Sequence, residues 1–410
     1  MVDIVMKFGG TSVANIERIR ASAALVAAEA ALGHSVAVVV SAMAGETDRL
    51  IGLAEALGGG LGEDESDVIL SSGEQVSSAL MALALKEQGL KAQSFQAWQS
   101  AIHVDGPPGA ARITGFDLQV VEAVADTGVI PVFAGFQGID AAGRVRTLGR
   151  GGTDLSAVAI AAALKAQCDI YTDVDGVYTT DPRIEPGAQR IRTISHDEML
   201  ELAAQGAKVL QTRSAEMAKA RNVPLRVLSS FADTGKAVGT TVKDASQIAE
   251  RRIVSGVAYT RDQARIGLLG ASDKPDVAAE IFGALSDADI GVDMIVQGRA
   301  RDAGTVNIEF TVDRRNLDRA MIVMETAHGG AREIAHDTDL AKVSVVGLGL
   351  NRRADVARIL FKALGEKGID VKVIATSEIR ISALIANDAV EMAVRALHSA
   401  YGLDDALEAR

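Results

Sequence analysis

The sequence predicts a two-part α/β protein: a mostly parallel sheet held between helices, followed by two copies of a small α+β module. The first part is read from alternation. "DIVMKFGG" is rich in β-formers and is followed by "NIERIRASAALVAAEAAL", whose apolar positions return at helical spacing. "SVAVVVSAM" is a near-continuous apolar run of the kind found in strands buried on both faces. The alternation runs on through "SSALMALALKE", "VIPVFAGFQG", "DLSAVAIAAALKA" and "CDIYTD". Strands spaced by helices of this length imply βαβ units, and ligands of such sheets sit beyond the carboxyl ends of the strands. "KFGG", "VVSAM" and "AGFQG" all fall at such ends.

The second part is read from a repeat. "DVAAEIFGAL" at 276–285 returns as "DVARILFKAL" at 355–364, and the register carries on from Ile290, Val292 and Ile295 to Ile369, Val371 and Ile374. Two unrelated amphipathic helices would not stay in register into the following strand, so one module is present twice. Each copy reads strand, helix, strand, strand, helix. The first copy is preceded by a spare strand-like stretch, "IVSGVAYT", while the second stops after its last helix and would leave an unpaired sheet edge. Residues 253–260 are therefore expected to cross over and complete the second module. The expected domains are 1–245, 253–340 including the crossover strand, and 341–410.

Composition narrows the functions open to the chain. Its 410 residues are 48% hydrophobic and 23% charged, enough for large cores and two or three domains. A net charge of −12 and a pI near 5.1 exclude nucleic acid or an anionic membrane surface as the main partner, but leave room for a small anion held by a few local cations. The single cysteine, Cys168, excludes an internal disulfide and, beside the apolar "AAALKA" run, reads as core packing. Six histidines without HxxxH spacing do not make a zinc site. The chain opens directly into a strand-like run, and no charge-free apolar stretch is read as approaching the roughly 20 residues of a membrane helix, so a cytoplasmic protein is expected.

Three loops carry the chemistry. In "VMKFGGTS" the lysine precedes the glycines, the reverse of a P-loop, and no GxGxxG turn occurs anywhere in the chain. Gly9 and Gly10 let the backbone approach an anion, and Thr11 and Ser12 are expected to cap the following helix. In "LGRGGTDLSAVAIAAALKA" three glycines surround Arg150 ahead of a helix start at Thr153 and Asp154, and an arginine at such a nest suits bidentate binding of a carboxylate or phosphate. "YTDVDGVYTTDPR" gathers acids, hydroxyls and Tyr178 on short turns directly after that helix and its strand.

In this order, and followed by two tandem modules, "KFGGTS", "VVSAMAGETD", "SSGEQVSSAL", "LGRGGTDLSAVAIAAAL" and "YTDVDGVYTTDPR" closely resemble the aspartate kinase family over essentially the whole chain. The resemblance implies the amino-acid kinase fold with two ferredoxin-like ACT modules. It also implies phosphorylation of L-aspartate by MgATP to 4-phospho-L-aspartate, the opening step towards lysine, threonine, methionine and diaminopimelate. The attacking carboxylate is already ionised at neutral pH, with an ordinary pKa near ~3.9, so no general base is required and catalysis reduces to positioning and charge neutralisation. On this reading Lys7 acts on the transferring phosphoryl, with Gly9 and Gly10 beside it, and Asp154 orients Lys7 or organises the phosphoryl centre. Arg150, with Gly151 and Gly152, matches the family's carboxylate site, Glu74 meets the α-ammonium, and Ser41 and Thr47 supply hydroxyls. A residue such as Glu74 also reads simply as a helix N-terminal acid. Ser12, Thr172, Asp173, Tyr178, Asp181, Arg183 and Lys208 fall on the nucleotide side, and magnesium is carried mainly by ATP oxygens and water.

Other readings are weaker. An acetylglutamate-type kinase has no α-ammonium for Glu74 to meet, a silent amino-acid sensor has no need of Lys7, Glu74, Arg150 and Asp154 together, and a nicotinamide dehydrogenase lacks its glycine turn. The ACT modules imply a homo-oligomer and feedback by lysine or threonine. Relatives tend to carry asparagine where this chain has Gly291 in "IGVD" and Asp370 in "IDVK", so an effector site around Gly291, Val292, Asp293, Gln297, Ile369 and Asp370 is expected in altered form, with Asp370 available to an effector ammonium.

Overall fold

The "VMKF" and "VAVVV" runs become the centre of a sheet because every one of their side chains is buried. The computed structural model describes residues 2–60, 62–100, 102–207, 209–232, 238–248 and 252–405. Its first strands are β1 (Ile4–Phe8), β2 (Val36–Val40), β3 (Ala92–Phe95), β4 (Ile102–Asp105), β5 (Arg112–Phe116), β6 (Ile130–Ala134), β7 (Gln137–Ile139), β8 (Val145–Thr147), β9 (Gln167–Thr172), β10 (Thr193–Ser195), β11 (Leu225–Ser229) and β12 (Thr240–Lys243). Eight of them form one sheet in the order β10-β12-β11-β9-β1-β2-β6-β3, and β4, β5, β7 and β8 form a smaller one. From β11 to β3 all neighbours are parallel, so β11, β9, β1, β2 and β6 end on the same edge.

The helices among these strands are α1 (Ile16–Ala31), α2 (Glu46–Ala56), α3 (Asp64–Glu87), α4 (Ala97–Ser100), α5 (Gln119–Ala125), α6 (Gly152–Leu164), α7 (His196–Ala204) and α8 (Thr212–Arg221). The α1 side chains Ile19, Ala23, Leu25 and Val26 meet Met6, Phe8 and Val38 of the sheet and Met81 and Leu85 of α3 in one core, where Phe8 stacks on Tyr171 at 4.9 Å. Helix α6 is apolar all round and buried almost throughout, as a helix enclosed by protein should be. Helix α3 was not anticipated as a membrane-length segment, yet it is long and apolar enough by composition to cross a bilayer. More than half of that stretch is buried in the fold, so its apolar content is explained largely by the core. Cys168 is a buried free thiol, raised well above its ordinary pKa chiefly by burial.

The rest of the chain builds a six-stranded antiparallel sheet in the order β14-β15-β13-β16-β18-β17. Its elements are β13 (Gly256–Ser272), α9 (Pro275–Asp287), β14 (Asp293–Arg299), β15 (Thr305–Asp313), α10 (Leu317–Met324), β16 (Glu333–Val346), α11 (Ala354–Glu366), β17 (Val373–Thr376), β18 (Arg380–Ala386) and α12 (Val390–Ala400). The repeats share one continuous sheet because β13 and β16 are long enough to serve both. The first half of β13, Gly256–Thr260, pairs with Val346–Lys342, and after a bulge its second half pairs with β15. Each repeat keeps its own helix-covered core, one around Ile266, Ile281 and Phe310 and the other around Val343, Leu360 and Val394.

The protein forms two compact units, Met1–Val177 with Arg190–Ala204 and Lys208–Glu250, and Tyr178–Gln189 with Gln205–Ala207 and Arg251–Arg410. Residues 178–189 were expected within the first domain and stand instead in the second unit. The cause is local bonding. Val257 donates its amide to the Thr179 carbonyl at 2.7 Å, Thr179 Oγ1 is 2.8 Å from His398 Nε2, Arg395 donates to the Ile184 carbonyl at 2.9 Å, and Ile184 packs in the second repeat's core.

Candidate active site

The common carboxyl edge of the first unit's sheet collects most of the residues singled out by sequence. Lys7 is placed by β1, between Val39 of β2 and Ile170 of β9, and is only 7% exposed. Its ammonium reaches Asp154 Oδ1 at 2.5 Å and lies against Gly9. Asp154 stands in the first turn of α6, where the helix dipole favours an acid. That helix opens at Gly151, whose φ of 71° is left-handed and whose β-carbon position is filled by the Gln211 side chain. Thr153 and Asp154 therefore lie inside the helix and do not cap it. Arg213 holds the preceding loop by donating to the carbonyls of Leu148 and Ala111. Arg150 is exposed, and its guanidinium has no hydrogen-bond or ion-pair partner among the described residues.

Glu74 occupies the middle of α3, so it is not a helix N-terminal acid. A β-carbon on Gly73 would stand 2.8 Å from that of Ala42, and the missing side chain lets the loop after β2 close onto α3. The Ala42 amide of the loop then donates to Glu74 Oε1 at 2.9 Å, and its Ser41 carbonyl accepts from Ser77 Oγ at 2.7 Å. Glu74 Oε2 has no hydrogen-bond partner among the described residues, and the side chain is 3% exposed. Burial pushes this carboxyl up to about 8, against the backbone hydrogen bonds, that of Ala42 foremost, that favour its ionised form. Thr47 lies in the first turn of α2, immediately after the left-handed Gly45.

The turn after β1 departs from expectation. Gly10–Val13 is one 3₁₀ turn, and α1 is capped by Asn15, which accepts from the Arg18 amide, and not by Thr11 or Ser12. Ser12 is buried and donates to Ser230 Oγ at 2.8 Å, bracing β1 against the end of β11. The Gly9 amide is taken by the Tyr171 carbonyl at 3.3 Å, so it is not presented to an incoming anion. Thr172 donates to Asp173 Oδ1 at 3.1 Å. Tyr178, Asp181 and Arg183 belong to the second unit, where Asp181 accepts three bonds from Arg183, one from its amide and two from its guanidinium, and one from the Tyr259 hydroxyl, and is held below the usual carboxylate range by the Arg183 guanidinium. Lys208 lies outside the described residues.

The expected effector residues separate by role. Val292 and Ile369 pack in the two repeat cores. Asp293 at the start of β14 is paired to Lys342 and lies 3.5 Å from Arg380; burial opposes its ionisation, but those cations hold its carboxyl below the usual range. Asp370 is exposed and already paired with Lys372 at 2.5 Å, so it is not the uncommitted acid the sequence suggested. Gln297 is exposed on β14, and Gly291 faces open space.

Comparison with known proteins gives this arrangement a family. A model of the amino acid kinase family matches residues 4–229, and an ACT domain model matches 269–327 and 343–401. An aspartate kinase of Pseudomonas putida is 48% identical over 407 residues, covering 98% of both chains. The chain belongs to the aspartokinase family. Among solved aspartokinases, E. coli aspartokinase III in complex with aspartate and ADP, an R-state structure, superposes with a TM-score of 0.81 at 27% identity over 97% of this chain and 99% of that one. The same enzyme with lysine and aspartate, in a T-state, gives 0.73 at 26% identity over the same shares.

Sequence reasoning missed some of the residues gathered at this sheet edge of the aspartokinase chain. Ser230 joins the ends of β1, β9 and β11 by accepting from Ser12 and donating to the Thr172 carbonyl, and Arg18 lies 3.8 Å over the Phe231 ring beside it. "LSSF" after a strand-like "LRV" carries no spacing that singles Ser230 out. Phe136, at a left-handed φ of 68°, gives its amide to Ser156 Oγ at the end of β6, and nothing in its residue type announced that conformation.

Proposed function

We propose that the chain transfers the γ-phosphoryl group of MgATP to the side-chain carboxylate of L-aspartate, giving 4-phospho-L-aspartate and ADP. One observation carries this reading: a buried glutamate with a bare carboxylate oxygen shares the sheet edge with an exposed, uncommitted arginine. A zwitterion needs such a pair, and Arg150 with the amide of Gly151 takes the α-carboxylate while Glu74 takes the α-ammonium; the Gly152 amide is held by the Gly149 carbonyl at 2.9 Å and only shapes the turn. Ser41 and Thr47 supply hydroxyl contacts to the substrate. The remaining carboxylate attacks phosphorus, forming the new O–P bond as the bond to the β–γ bridging oxygen breaks and its electrons leave with ADP. Lys7, oriented by Asp154, neutralises charge on the phosphoryl as it moves. Gly10, Ser12, Thr172 and Asp173 shape the nucleotide side. Magnesium enters on ATP oxygens and water.

Arg150→Ala tests the substrate assignment. It is expected to raise the aspartate KM by on the order of 10² with the ATP KM nearly unchanged, from the loss of a charge-assisted bidentate pair. ADP release measured against each substrate decides it, and an unaltered aspartate KM would remove Arg150 from the site.

The same reading puts the enzyme in the cytoplasm at the head of lysine, threonine, methionine and diaminopimelate synthesis, as a homo-oligomer with feedback by lysine or threonine through the ACT modules. The exposed Ile295 and Val296 on edge strand β14 support self-association, and the lysine-bound T-state relative supports lysine as an effector. Asp293, with Lys342 and Arg380, is the proposed centre of the effector site, with Gln297 beside it on β14. Inhibition curves with lysine, threonine and both should move to about tenfold higher concentration in Asp293→Asn and stay in place in Asp370→Ala. The opposite pattern would return the site to Asp370.

A further inference from the structure

Helix α3 carries a second buried acid that the proposed chemistry does not use. Asp67 lies two turns before Glu74, so the two carboxylates leave the helix on the same side, about 10 Å apart along its axis. It is fully buried. Asp67 Oδ1 accepts from the Thr147 hydroxyl at 2.5 Å and from the Gly109 amide at 3.0 Å, and the same amide also reaches Oδ2 at 3.3 Å. Burial raises its pKa against those bonds and against the field of Arg146, whose guanidinium pairs with Asp64 and Asp140. An acid near a helix N-terminus is ordinarily favoured by the dipole and stays in water. One sealed from solvent, with no ion pair among the described residues, is explained by what it holds.

Asp67 holds the approach to Arg150. Thr147 ends β8 three residues before that arginine, and its carbonyl accepts from the Ala111 amide at 3.1 Å. Gly149, left-handed at a φ of 74°, packs so closely on the loop between β4 and β5 that a β-carbon there would stand 2.7 Å from the Gly109 carbonyl oxygen. That loop and the one carrying Arg150 therefore move as one body, and Asp67 grips both from α3. Gln137, opposite Thr147 in β7, donates to the Ser71 carbonyl at 3.0 Å and steadies the same small sheet one turn further along the helix. Arg144 and Arg146 tie this segment to Glu65 and Asp64 at the solvent-facing start of α3, where ion pairs contribute little.

We propose that Asp67 is a positioning residue for the amino-acid substrate: by fixing the Thr147–Arg150 segment to α3, it sets the separation of Arg150 from Glu74. The inference rests on the assignment of those two residues to the α-carboxylate and the α-ammonium. Both groups are borne by one carbon of the substrate, so a pocket whose two charged walls drift apart loses its hold on that carbon. The nucleotide side is built from other segments and is not affected.

Steady-state kinetics of the full-length chain test this. Asp67→Ala should raise the aspartate KM by on the order of tenfold with the ATP KM in place, and Thr147→Val, which removes one bond and keeps the shape, should raise it by less. Thr147→Val reads the same contact where Asp67→Ala costs too much stability. Asp67→Asn keeps an acceptor oxygen for both donors and should hold KM within about twofold of wild type. Because Asp67 acts through Arg150, adding Asp67→Ala to Arg150→Ala should raise KM no further. Leu85→Ala, a cut in the buried far half of the same helix, should lower the melting temperature and leave KM alone, which separates loss of stability from loss of position. An aspartate KM unmoved by Asp67→Ala and Thr147→Val while Arg150→Ala raises it overturns this proposal alone. Additive effects of Asp67→Ala and Arg150→Ala, or a KM raised equally by Leu85→Ala, overturn it too. A KM unmoved by Arg150→Ala overturns the substrate assignment, and this proposal with it.

Discussion

Lys7→Ala should lower kcat by on the order of 10² or more and leave the aspartate KM nearly unchanged, because the ammonium acts on charge that moves only in the transition state. The size of the effect follows from the site's electrostatics. An anionic carboxylate must approach a polyanionic phosphate, and Lys7 is the cation that β1 carries to the edge where the proposed ligands meet. Arginine should not rescue the loss, since a side chain only 7% exposed and 2.5 Å from Asp154 leaves no room for a planar guanidinium. Removing Lys7 also leaves Asp154 buried and unpaired, which destabilises the fold on its own account. The double variant Lys7→Met/Asp154→Asn separates the two effects: it should regain stability in thermal denaturation and remain inactive. Recovery of activity along with stability would reduce Lys7 to a structural partner of Asp154.

Glu74→Gln should raise the aspartate KM by on the order of 10² while stabilising the ligand-free protein at neutral and higher pH. Both effects come from one buried carboxyl. Its pKa is raised by burial from an ordinary 4.5 to about 8, so the folded chain holds a proton that the unfolded chain has already released. Its contribution to stability is complete below about pH 4.5 and is lost progressively as pH rises to about 8. Glutamine does not titrate, so the stability difference between variant and wild type should widen across that window and flatten above it. Aspartate binding runs the other way, since its ammonium requires the ionised acid. Below pH 8 the wild-type aspartate KM should rise about tenfold per pH unit, and in Glu74→Gln that slope should vanish. Melting temperatures and aspartate KM values from pH 5 to 9 check both, and equal slopes in the two proteins would show that another group controls binding.

The fold was legible wherever burial dictates residue type. "VAVVV" and "IVMKF" read as fully buried strands because a central parallel strand has no polar face, and the repeat of "DVAAEIFGAL" announced two modules because each copy's helix must cover a core of its own. Contacts between distant segments were not legible. Residues 178–189 follow β9 in sequence, but their carbonyls and hydroxyls bond to Val257, His398 and Arg395, which no local pattern reveals. At the proposed site, Lys7, Glu74 and Arg150 were singled out from motif order, whereas the capture of the Gly9 amide by Tyr171 and of Asp370 by Lys372 depends on neighbours fixed only in three dimensions. Ser230 was missed because a serine after a strand carries no spacing signal.

On the proposed function, an amino acid with a free α-ammonium is phosphorylated on its side-chain carboxylate. Trapping the product with hydroxylamine tests it most directly, since an acyl phosphate yields a hydroxamate at the carboxyl that was phosphorylated. With ATP, magnesium and L-aspartate the chain should give the side-chain hydroxamate in step with ADP release, and N-acetyl-L-aspartate should give almost none. Equal turnover of the acetylated substrate, or ADP release without any hydroxamate, would contradict it.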